Sequence, residues 1–207
     1  MPGMITPRFS RTVLLLTFLT FAGVSQPLAS TQQQPPPGQP PAGAQPAAAQ
    51  KPAAPSGLHG VRNFTSIDST FALGGALSEG SIAALKEAGF VTVVSLRAAS
   101  EEGANIEAHT EAAKQAGIRF VHLPFVPASP DATKVDEFLK IVSDPAAQPV
   151  LLHCTSGGRA SMFWAIKRVL VDGWTVEKAM AELPERSKTW SEPLKTFMLE
   201  YLKRTLP

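Results

Sequence analysis

The sequence predicts an α/β fold: a central, mostly parallel sheet with helices on both faces and a functional loop between one strand and the next helix. Two observations support this class. After residue 58, short β-branched runs alternate repeatedly with longer segments of helical periodicity. In addition, the apolar run Val150 to Leu152 leads through a polar loop into a helical pattern from Ala160 to Val171. In such sheets the functional loops lie beyond the carboxyl ends of the strands.

The N-terminal segment precedes this fold. Arg8 and Arg11 come before an apolar segment from Val13 to Val24, and no acidic residue occurs before Asp68. This is the pattern of a secretory signal peptide, and the apolar part is shorter than the about 20 residues that a membrane span needs. We therefore expect residues 1–30 to be a signal peptide of an exported, periplasmic or extracellular protein. Membrane contact is expected only if this signal stays uncleaved.

Composition separates a linker from a single domain. Residues 31–57 consist almost wholly of Gln, Pro, Ala and Gly, a composition that predicts a disordered linker. Residues 58–207 are enough for one ordinary core, and we expect this domain to be monomeric. Three of the 19 basic residues precede the domain, which leaves 16 basic against 17 acidic groups within it. Without a basic stripe, a nucleic-acid partner is not expected.

The first half of the domain alternates strands and helices. Ser78 is an expected N-cap, and Gly89 and Gly117 are expected helix ends. The expected elements are strands over 61–67 and 70–73, which can form a hairpin, a helix from Ser78 to Ala88, a strand over 90–96, a helix from Asn105 to Ala116 and a strand over 118–123.

The second half begins with a proline-rich loop after Leu123. Ser129 as N-cap and Pro130 as first helical residue predict a helix that runs to about Ser143. The strand that leads into the cysteine follows. Two closing helices are expected over 175–183 and 191–206.

The only cysteine, Cys154, begins the loop Cys154–Arg159 between the predicted strand and helix. A loop in this position points its backbone N–H groups and the positive end of the helix toward its centre. The loop is therefore a cradle for an anion. A cysteine beside a helix N-terminus and an arginine is favoured as the thiolate, which is the nucleophilic form.

The remaining loop residues fit the same function. Gly157 and Gly158 allow positive φ and a close approach of the backbone to a tetrahedral anion. The Arg159 guanidinium offers two aligned donors to two phosphate oxygens. A thiolate with these donors predicts nucleophilic attack on phosphorus. The expected substrate-binding residues are Thr155, Ser156, Gly157, Gly158 and Arg159.

The segment His153–Arg159, H-C-T-S-G-G-R, resembles the signature of cysteine-dependent protein tyrosine and dual-specificity phosphatases, and most closely their bacterial beta-lactamase-hydrolase-like branch. The resemblance extends to residues 71–75 and 85–97 and covers about residues 58–185. It implies a cysteine-phosphatase fold that hydrolyses a phosphorylated substrate through a phosphocysteine. The main family has one more residue between cysteine and arginine than the four found here, so Ala160 occupies the usual arginine position.

Other interpretations of Cys154 remain open. The same spacing from Cys154 to Arg159 resembles the loop of rhodanese sulfurtransferases, in which the cysteine carries a persulfide. A protein without the complete catalytic set would use the cradle only to bind an anion. A lone cysteine can also be a buried structural thiol, although its place before Gly157, Gly158 and Arg159 favours a nucleophile.

A phosphatase of this kind needs an acid to protonate the leaving oxygen. Related phosphatases carry an aspartate on the loop that precedes the cysteine loop, but the usual acid position falls here near Val126 or Pro127, which cannot donate a proton. Asp131 is the nearest carboxyl and the candidate acid. Glu101 and Glu102, on another loop at the same edge of the sheet, are alternative acids.

Three further residues have expected supporting roles. The resemblance implies that His153 orients the loop through hydrogen bonds and that Ser161 assists the thiolate as leaving group. Arg97 ends a strand, where it is expected either to bind a second anionic group or to pair with Glu101 or Glu102. The four histidines show no ligand spacing and one cysteine cannot form a structural zinc site, so neither metal nor cofactor is expected.

Overall fold

The computed structural model describes residues 57–187 and 190–206, so the expected signal peptide and linker lie outside the described residues. Its centre is a five-stranded sheet in the order β1-β2-β5-β3-β4. The strands are β1 (Thr65–Ser66), β2 (Phe71–Gly74), β3 (Thr92–Ser95), β4 (Arg119–His122) and β5 (Val150–His153).

Strand directions confirm the mostly parallel sheet. The strand β5 pairs in parallel with β2 and β3, and β3 pairs in parallel with β4. The hairpin is confirmed because β1 is antiparallel to β2, but β1 is much shorter than expected. Val61 forms only an isolated bridge with Leu77. The central position of β5 places the cysteine loop between the ends of two neighbouring strands.

Seven α-helices and one 3-10 helix (Pro145–Ala147) are present among the described residues, and none of them is long and apolar enough to cross a membrane. The helix expected over 175–183 is confirmed as Val176–Ala181, and a further short helix, Pro184–Ser187, follows it. The helices are α1 (Ser81–Glu87), α2 (Ile106–Ala116), α3 (Ala132–Val142), α4 (Gly158–Leu170), α5 (Val176–Ala181), α6 (Pro184–Ser187) and α7 (Glu192–Thr205).

Apolar side chains of the strands alternate between two cores. Leu152 and Val94 belong to the larger core, which includes side chains of α3, α4 and α7. Leu151 and Val93 belong to the smaller core with side chains of α1 and α2. This alternation follows from the two-residue period of a strand, and it confirms the prediction of helices on both faces.

The start of α1 departs from the sequence prediction, whereas the end of α2 agrees with it. Ser78 does not cap α1: its hydroxyl donates to the Gly60 carbonyl, and Gly80 with φ 77° is the N-cap instead. A serine hydroxyl can satisfy a neighbouring segment as readily as a helix end, so the local cap signal is ambiguous. The predicted C-cap of α2 at Gly117 is confirmed, with φ 65°.

Candidate active site

The loop that carries Cys154 is attached to the strands on both of its sides. The Leu96 N–H donates to the His153 carbonyl at 2.9 Å, and the Cys154 N–H donates to the Gly74 carbonyl at 3.3 Å. The Ala76 N–H donates to the Thr155 carbonyl at 2.9 Å. Since β5 ends at His153 and α4 begins at Gly158, the predicted strand, loop and helix are all present.

Glycine is required at two places beside this loop. A Cβ at Gly75 would lie 2.9 Å from the Thr155 carbonyl oxygen, which is too close for any side chain. Gly157 has φ 103°, in the region that only glycine enters readily. The same expectation for Gly158 is wrong, because Gly158 is the first residue of α4 and has helical geometry.

The cysteine sulfur lies at the base of the loop. Cys154 is 1% exposed, and the Gly157 N–H donates to its Sγ at 3.2 Å. The first turn of α4 starts directly after this amide, so the positive end of a 13-residue helix faces the sulfur. The loop therefore presents a nucleophilic atom inside a donor-rich turn, as the sequence predicts.

Arg159 is held in a fixed orientation by residues beyond β3 and β4. Its Nη1 and Nη2 donate to the two carboxylate oxygens of Glu101 at 2.6 and 2.7 Å. Nη1 also donates to the carbonyls of Leu96 and Phe125, each at 3.0 Å. Burial lowers the pKa of Arg159, but the hydrogen bonds to Glu101 and the electrostatic interaction with Cys154 raise it overall. Arg159 therefore stays charged beside the sulfur, but the two terminal nitrogens that were expected to bind phosphate oxygens are bonded to Glu101 instead.

Glu101 is the ion partner of Arg159 and is fully ionised at neutral pH. Its carboxylate also accepts hydrogen bonds from the Thr155 hydroxyl at 2.6 Å and from the Ala98 N–H at 2.8 Å. Burial raises the pKa of Glu101, but the hydrogen bonds from Arg159, Thr155 and Ala98 lower it to about 2. A carboxylate in this state does not donate a proton near neutrality, so Glu101 positions Arg159 and is unsuited to the role of alternative acid.

Two loop residues that were expected to bind substrate are engaged with their neighbours. The Thr155 hydroxyl donates to Glu101 and accepts from Arg159 Nη2 at 3.0 Å. The Ser156 carbonyl accepts from the Asn63 side-chain amide at 3.0 Å. Thr155 can therefore bind an anion in the loop through its backbone N–H. Its hydroxyl is bonded to both Glu101 and Arg159 and holds these two side chains together.

Arg97 pairs with the loop that carries Glu101, which is one of its two expected roles. Its side chain is buried, with Nη1 donating to the Gly103 carbonyl at 2.7 Å and Nη2 to the Glu102 carbonyl at 2.5 Å. Its Nε lies 3.5 Å from Glu101 Oε2. Glu102 contributes only its carbonyl to this arrangement, and its side chain is exposed. Arg97 thus fixes the shape of the segment that orients Arg159.

His153 lies beneath the loop and is neutral. It is 1% exposed, and burial is the main cause that lowers its pKa to about 3. Its Nδ1 is 3.2 Å from the Gly75 carbonyl oxygen, which can only accept, so Nδ1 carries the proton. This contact joins the end of β5 to the segment after β2, which fits the expected role of His153 in orienting the cysteine loop.

The Ser161 hydroxyl has partners other than the sulfur. It donates to the Gly158 carbonyl at 2.9 Å and accepts from the Trp190 indole N–H at 2.7 Å. Its only proton therefore points along α4, which does not fit the expected assistance to the thiolate. Trp190 was not singled out by the sequence; it ties the segment before α7 to the start of α4.

Asp131 is the N-cap of α3. Its Oδ1 accepts from the Thr133 N–H at 2.9 Å and from the Thr133 hydroxyl at 2.7 Å, and these two bonds lower its pKa. The predicted cap at Ser129 is wrong, since Ser129 closes a tight turn with Val126. Within the described part of the chain, Asp131 makes no hydrogen bond or ion pair with Cys154 or Arg159.

Arg186 of α6 lies against the loop and was missed by the sequence analysis. Its Nη2 donates to the Asn63 carbonyl and, at 2.6 Å, to the Thr65 hydroxyl. Its Nη1 lies 2.0 Å from the position that a Cβ would take at Gly157. Burial lowers the pKa of Arg186, whereas the electrostatic interaction with Cys154 acts in the opposite direction. Arg186 lies in a four-residue helix far from the loop in sequence, and no motif spacing connects it to Cys154.

A cavity of about 560 Å³ lies elsewhere, between α1 and α2, and Ser81 and His109 are among its lining residues. None of the lining residues belongs to the 154–159 loop, and no cysteine is among them. The described residues also contain no group of three or more His, Cys, Asp or Glu side chains that could hold a metal ion.

A buried cysteine and an arginine on one loop at the end of the central strand define a cysteine-based phosphatase of the tyrosine and dual-specificity type. Residues 58–196 match the family described as "DSP-PTPase phosphatase fused to NAD+ Kinase". The chain belongs to this family, and the expected membership of the cysteine-dependent tyrosine and dual-specificity phosphatases is confirmed. No curated protein matches the chain.

Solved structures show the same fold. A DUF442 protein from Shewanella putrefaciens CN-32, assigned as a phosphatase, is 20% identical with a TM-score of 0.60, covering 70% of this chain and 92% of that one. Tk-PTP in its active form is 19% identical with a TM-score of 0.58, covering 69% and 97%. The core catalytic domain of the PP-IP phosphatase SIW14 from S. cerevisiae is 17% identical with a TM-score of 0.58, covering 70% and 88%.

Proposed function

We propose that this protein hydrolyses phosphomonoesters through a phosphocysteine intermediate. The observation that carries the proposal is the placement of the Cys154 sulfur and the Arg159 guanidinium on one short loop, with the Gly157 N–H directed at the sulfur. In the first step the thiolate attacks phosphorus, the S–P bond forms and the ester P–O bond breaks. Water then attacks phosphorus, the S–P bond breaks, and phosphate and the thiolate are released.

The roles of the charged residues follow from their contacts. The Arg159 Nε–H, which the contacts of the two terminal nitrogens leave available, and the backbone N–H groups of the loop bind the non-bridging oxygens, whose charge is largest in the transition state. Glu101 and Thr155 hold Arg159 in orientation, and Arg97 holds the segment that carries Glu101. Donors that are fixed before the reaction need no reorganisation during it, which is why this second layer of contacts matters for the rate.

The leaving group determines which esters are favoured. Glu101 is ionised, and Asp131 and Glu102 make no hydrogen bond or ion pair with the loop in the described part of the chain. Without a proton donor, a weakly basic leaving oxygen departs far more easily than a strongly basic one. The proposed substrates are therefore aryl phosphates, such as phosphotyrosine side chains, in preference to alkyl phosphates.

The Asp131→Asn variant tests the remaining candidate acid. We expect its activity to stay within about twofold of the wild type on both aryl and alkyl phosphates, because asparagine caps a helix nearly as well as aspartate. The measurement is kcat on one aryl and one alkyl phosphate at several pH values. A selective fall on the alkyl ester, on the order of 10²-fold or more, would instead establish Asp131 as the general acid.

Three activities can be separated by one set of assays on the purified protein. A panel of aryl and alkyl phosphomonoesters is assayed for phosphate release, and thiosulfate with cyanide is assayed for thiocyanate formation. Phosphate release from aryl esters supports the proposal. Thiocyanate formation alone would identify a sulfurtransferase, whereas anion binding without either product would identify a binding protein.

The Glu101→Gln variant is expected to lower kcat/KM on an aryl phosphate roughly tenfold to a hundredfold, because Arg159 loses a charged hydrogen-bond partner. The glutamine amide keeps the shape of the carboxylate, so the fall in kcat/KM measures the effect of removing the negative charge of Glu101. Glu102→Gln is the matched control and is expected to retain activity, since its side chain is exposed. An undiminished rate in Glu101→Gln would contradict the assigned positioning role.

The same pair also has an expected pH dependence. The pKa of Glu101 is lowered from 4.5 to about 2, so the stability that its ionised form contributes is fully present above about pH 4.5 and is lost as the pH falls through about 2. The difference in unfolding free energy between wild type and Glu101→Gln should therefore be constant from neutral pH to about 4.5 and shrink below it. Denaturant titrations at fixed pH values measure this difference.

Export and a monomeric state remain part of the proposal. Export is supported by the apolar N-terminal segment with Arg8 and Arg11 before it. Export is compatible with the composition of the domain, because a single cysteine cannot form a disulfide within its own chain.

A further inference from the structure

One peptide unit of the cysteine loop has a hydrogen-bond partner at each of its two ends. The unit between Ser156 and Gly157 consists of the Ser156 carbonyl and the Gly157 N–H. The N–H donates to Cys154 Sγ at 3.2 Å, and the carbonyl accepts from the Asn63 side-chain amide at 3.0 Å. Because a peptide unit is planar, its N–H and its carbonyl point in opposite directions and turn together. The direction of this N–H toward the sulfur is therefore coupled to the contact with Asn63.

The backbone of the loop does not fix this peptide unit by itself. Glycine has no Cβ and enters positive and negative φ with similar ease, and Gly157 has φ 103°. Half a turn of the peptide unit would direct the Ser156 carbonyl oxygen toward the sulfur in place of the N–H. That oxygen would repel a thiolate, whereas the N–H stabilises it. The contacts at the two ends of the unit thus determine which group faces the sulfur.

Asn63 presents its amide from a backbone that is itself held in place. Its φ is 50°, a left-handed conformation that asparagine tolerates better than most residues, and its carbonyl accepts from Arg186 Nη2. The preceding residue, Arg62, pairs with the segment after β2. The Arg62 N–H donates to the Ala76 carbonyl at 3.0 Å, and the Arg62 carbonyl accepts from the Gly75 N–H at 2.6 Å. The donor to the loop is therefore anchored on the β2 side of the sheet.

We propose that Asn63 is a positioning residue, which acts on the nucleophile through the peptide unit between Ser156 and Gly157. Its amide keeps the N–H of that unit directed at the sulfur. Hydrogen bonds in such a chain also polarise one another, which strengthens the N–H as a donor. The thiolate is the nucleophilic form, so its stabilisation raises the fraction of protein that is ready to react. The kinetic consequence rests on the proposed phosphatase function, whereas the state of the thiol is measured without turnover.

The titration experiment uses the only cysteine in the sequence as its own probe. The ultraviolet absorbance of the thiolate is recorded against pH on the full chain, with Cys154→Ser as the blank. In Asn63→Gly the rise of this absorbance is expected to move roughly half a unit to one unit toward higher pH, as for the loss of one hydrogen bond. Glycine suits the positive φ and keeps the carbonyl that Arg186 binds, so the variant removes only the amide.

The charged and titratable groups near the sulfur are unchanged in this variant. Arg159 and Arg186 interact electrostatically with Cys154, and Glu101 is the ion partner of Arg159. Burial lowers the pKa of His153 to about 3, and the pKa of Glu101 lies at about 2. Arginine stays protonated throughout the accessible range. These four groups therefore keep their charge near neutrality, and a shift of the absorbance there belongs to Cys154.

Asn105→Gly is the matched control for the glycine substitution. Asn105 also has a positive φ, of 46°, and its side chain makes no cap hydrogen bond to α2. This variant should titrate as the wild type does. The proposal is overturned if Asn63→Gly also titrates as the wild type, which would leave its amide a structural contact only. It is equally overturned if both glycine variants shift the titration by the same amount.

Kinetics and amide exchange provide a second test. Below neutral pH, kcat/KM of Asn63→Gly on an aryl phosphate is expected to fall roughly threefold to tenfold, and it should approach the wild-type value at higher pH as the thiolate forms. Hydrogen exchange of the Gly157 amide, followed by NMR, should become faster because the peptide unit turns more freely. An equal fall at every pH with unchanged Gly157 exchange would overturn the proposal. A wild type without phosphatase activity would contradict the proposed function, and the titration and the exchange rates would still decide the role of Asn63.

Discussion

Replacing Cys154 by serine is expected to abolish phosphate release, with a loss on the order of 10⁴-fold or more, as for removal of the nucleophile in other covalent catalysts. A hydroxyl at this position remains protonated, so the attacking atom lacks the charge that the loop is built to stabilise. The measurement is single-turnover hydrolysis of an aryl phosphate. Acid-quenched wild type should also retain labelled phosphate on the protein, and the variant should not.

The variant should nevertheless fold and bind an anion. Sulfur and oxygen differ little in size, and the Gly157 N–H and the Arg159 guanidinium remain in place. Thermal unfolding and binding of orthophosphate provide the controls. Hydrolysis at the wild-type rate in Cys154→Ser would contradict the phosphocysteine mechanism, and loss of both folding and binding would show that the change is structural.

The second large effect is expected from Arg159→Lys, which should lower kcat/KM roughly 10²- to 10³-fold, the range found when one donor to the developing charge is removed. One ammonium group cannot keep the paired contacts to the two oxygens of Glu101 and at the same time donate to a phosphoryl oxygen. Steady-state kinetics on an aryl phosphate measures the loss.

Arg119→Lys is the matched control for this change, because it makes the same replacement at an exposed position remote from the loop. It should leave kcat/KM unaltered. If Arg159→Lys also keeps nearly full activity, the guanidinium of Arg159 does not hold the phosphoryl oxygens, and its contacts to Glu101 serve the fold alone.

The sequence predicts those parts of the site that depend on local signals. Val150–His153 is a short apolar run that is consistent with a buried strand, and the loop that follows contains Cys154, Gly157 and Arg159 within a few positions. The strand, the turn and the helix start are therefore visible without any partner. Gly158 shows the limit of this reasoning, because a glycine can begin a helix as well as take positive φ.

The remaining parts depend on contacts between residues distant in sequence. Arg159 and Glu101 are 58 positions apart, and Arg186 and Thr65 are 121 positions apart. No spacing rule connects such residues, and only the sheet order brings them together. Glu101 was considered as an acid because its loop reaches the correct edge of the sheet. Its actual role follows from the hydrogen bonds that keep it ionised.

Asp131 illustrates a local signal with two physical meanings. An aspartate before a helix is both a good N-cap and, in a loop at this edge of the sheet, an available acid. Sequence alone does not distinguish them, because both uses need the same residue at the same place. The two bonds from Thr133 to its carboxylate establish the first use.

The two sides of the cysteine loop are fastened by different kinds of contact. The nucleophile side is part of the sheet ladder, since the Cys154 N–H bonds to Gly74 and the His153 carbonyl to Leu96. The Arg186 side is held by side chains, as in the contacts from Arg186 to Thr65 and from Trp190 to Ser161. Opening the ladder requires the central strand to separate, whereas the side-chain contacts can break with the sheet intact. Amide exchange at Cys154 should therefore follow global unfolding, while amides of the helix that carries Arg186 should exchange through local opening.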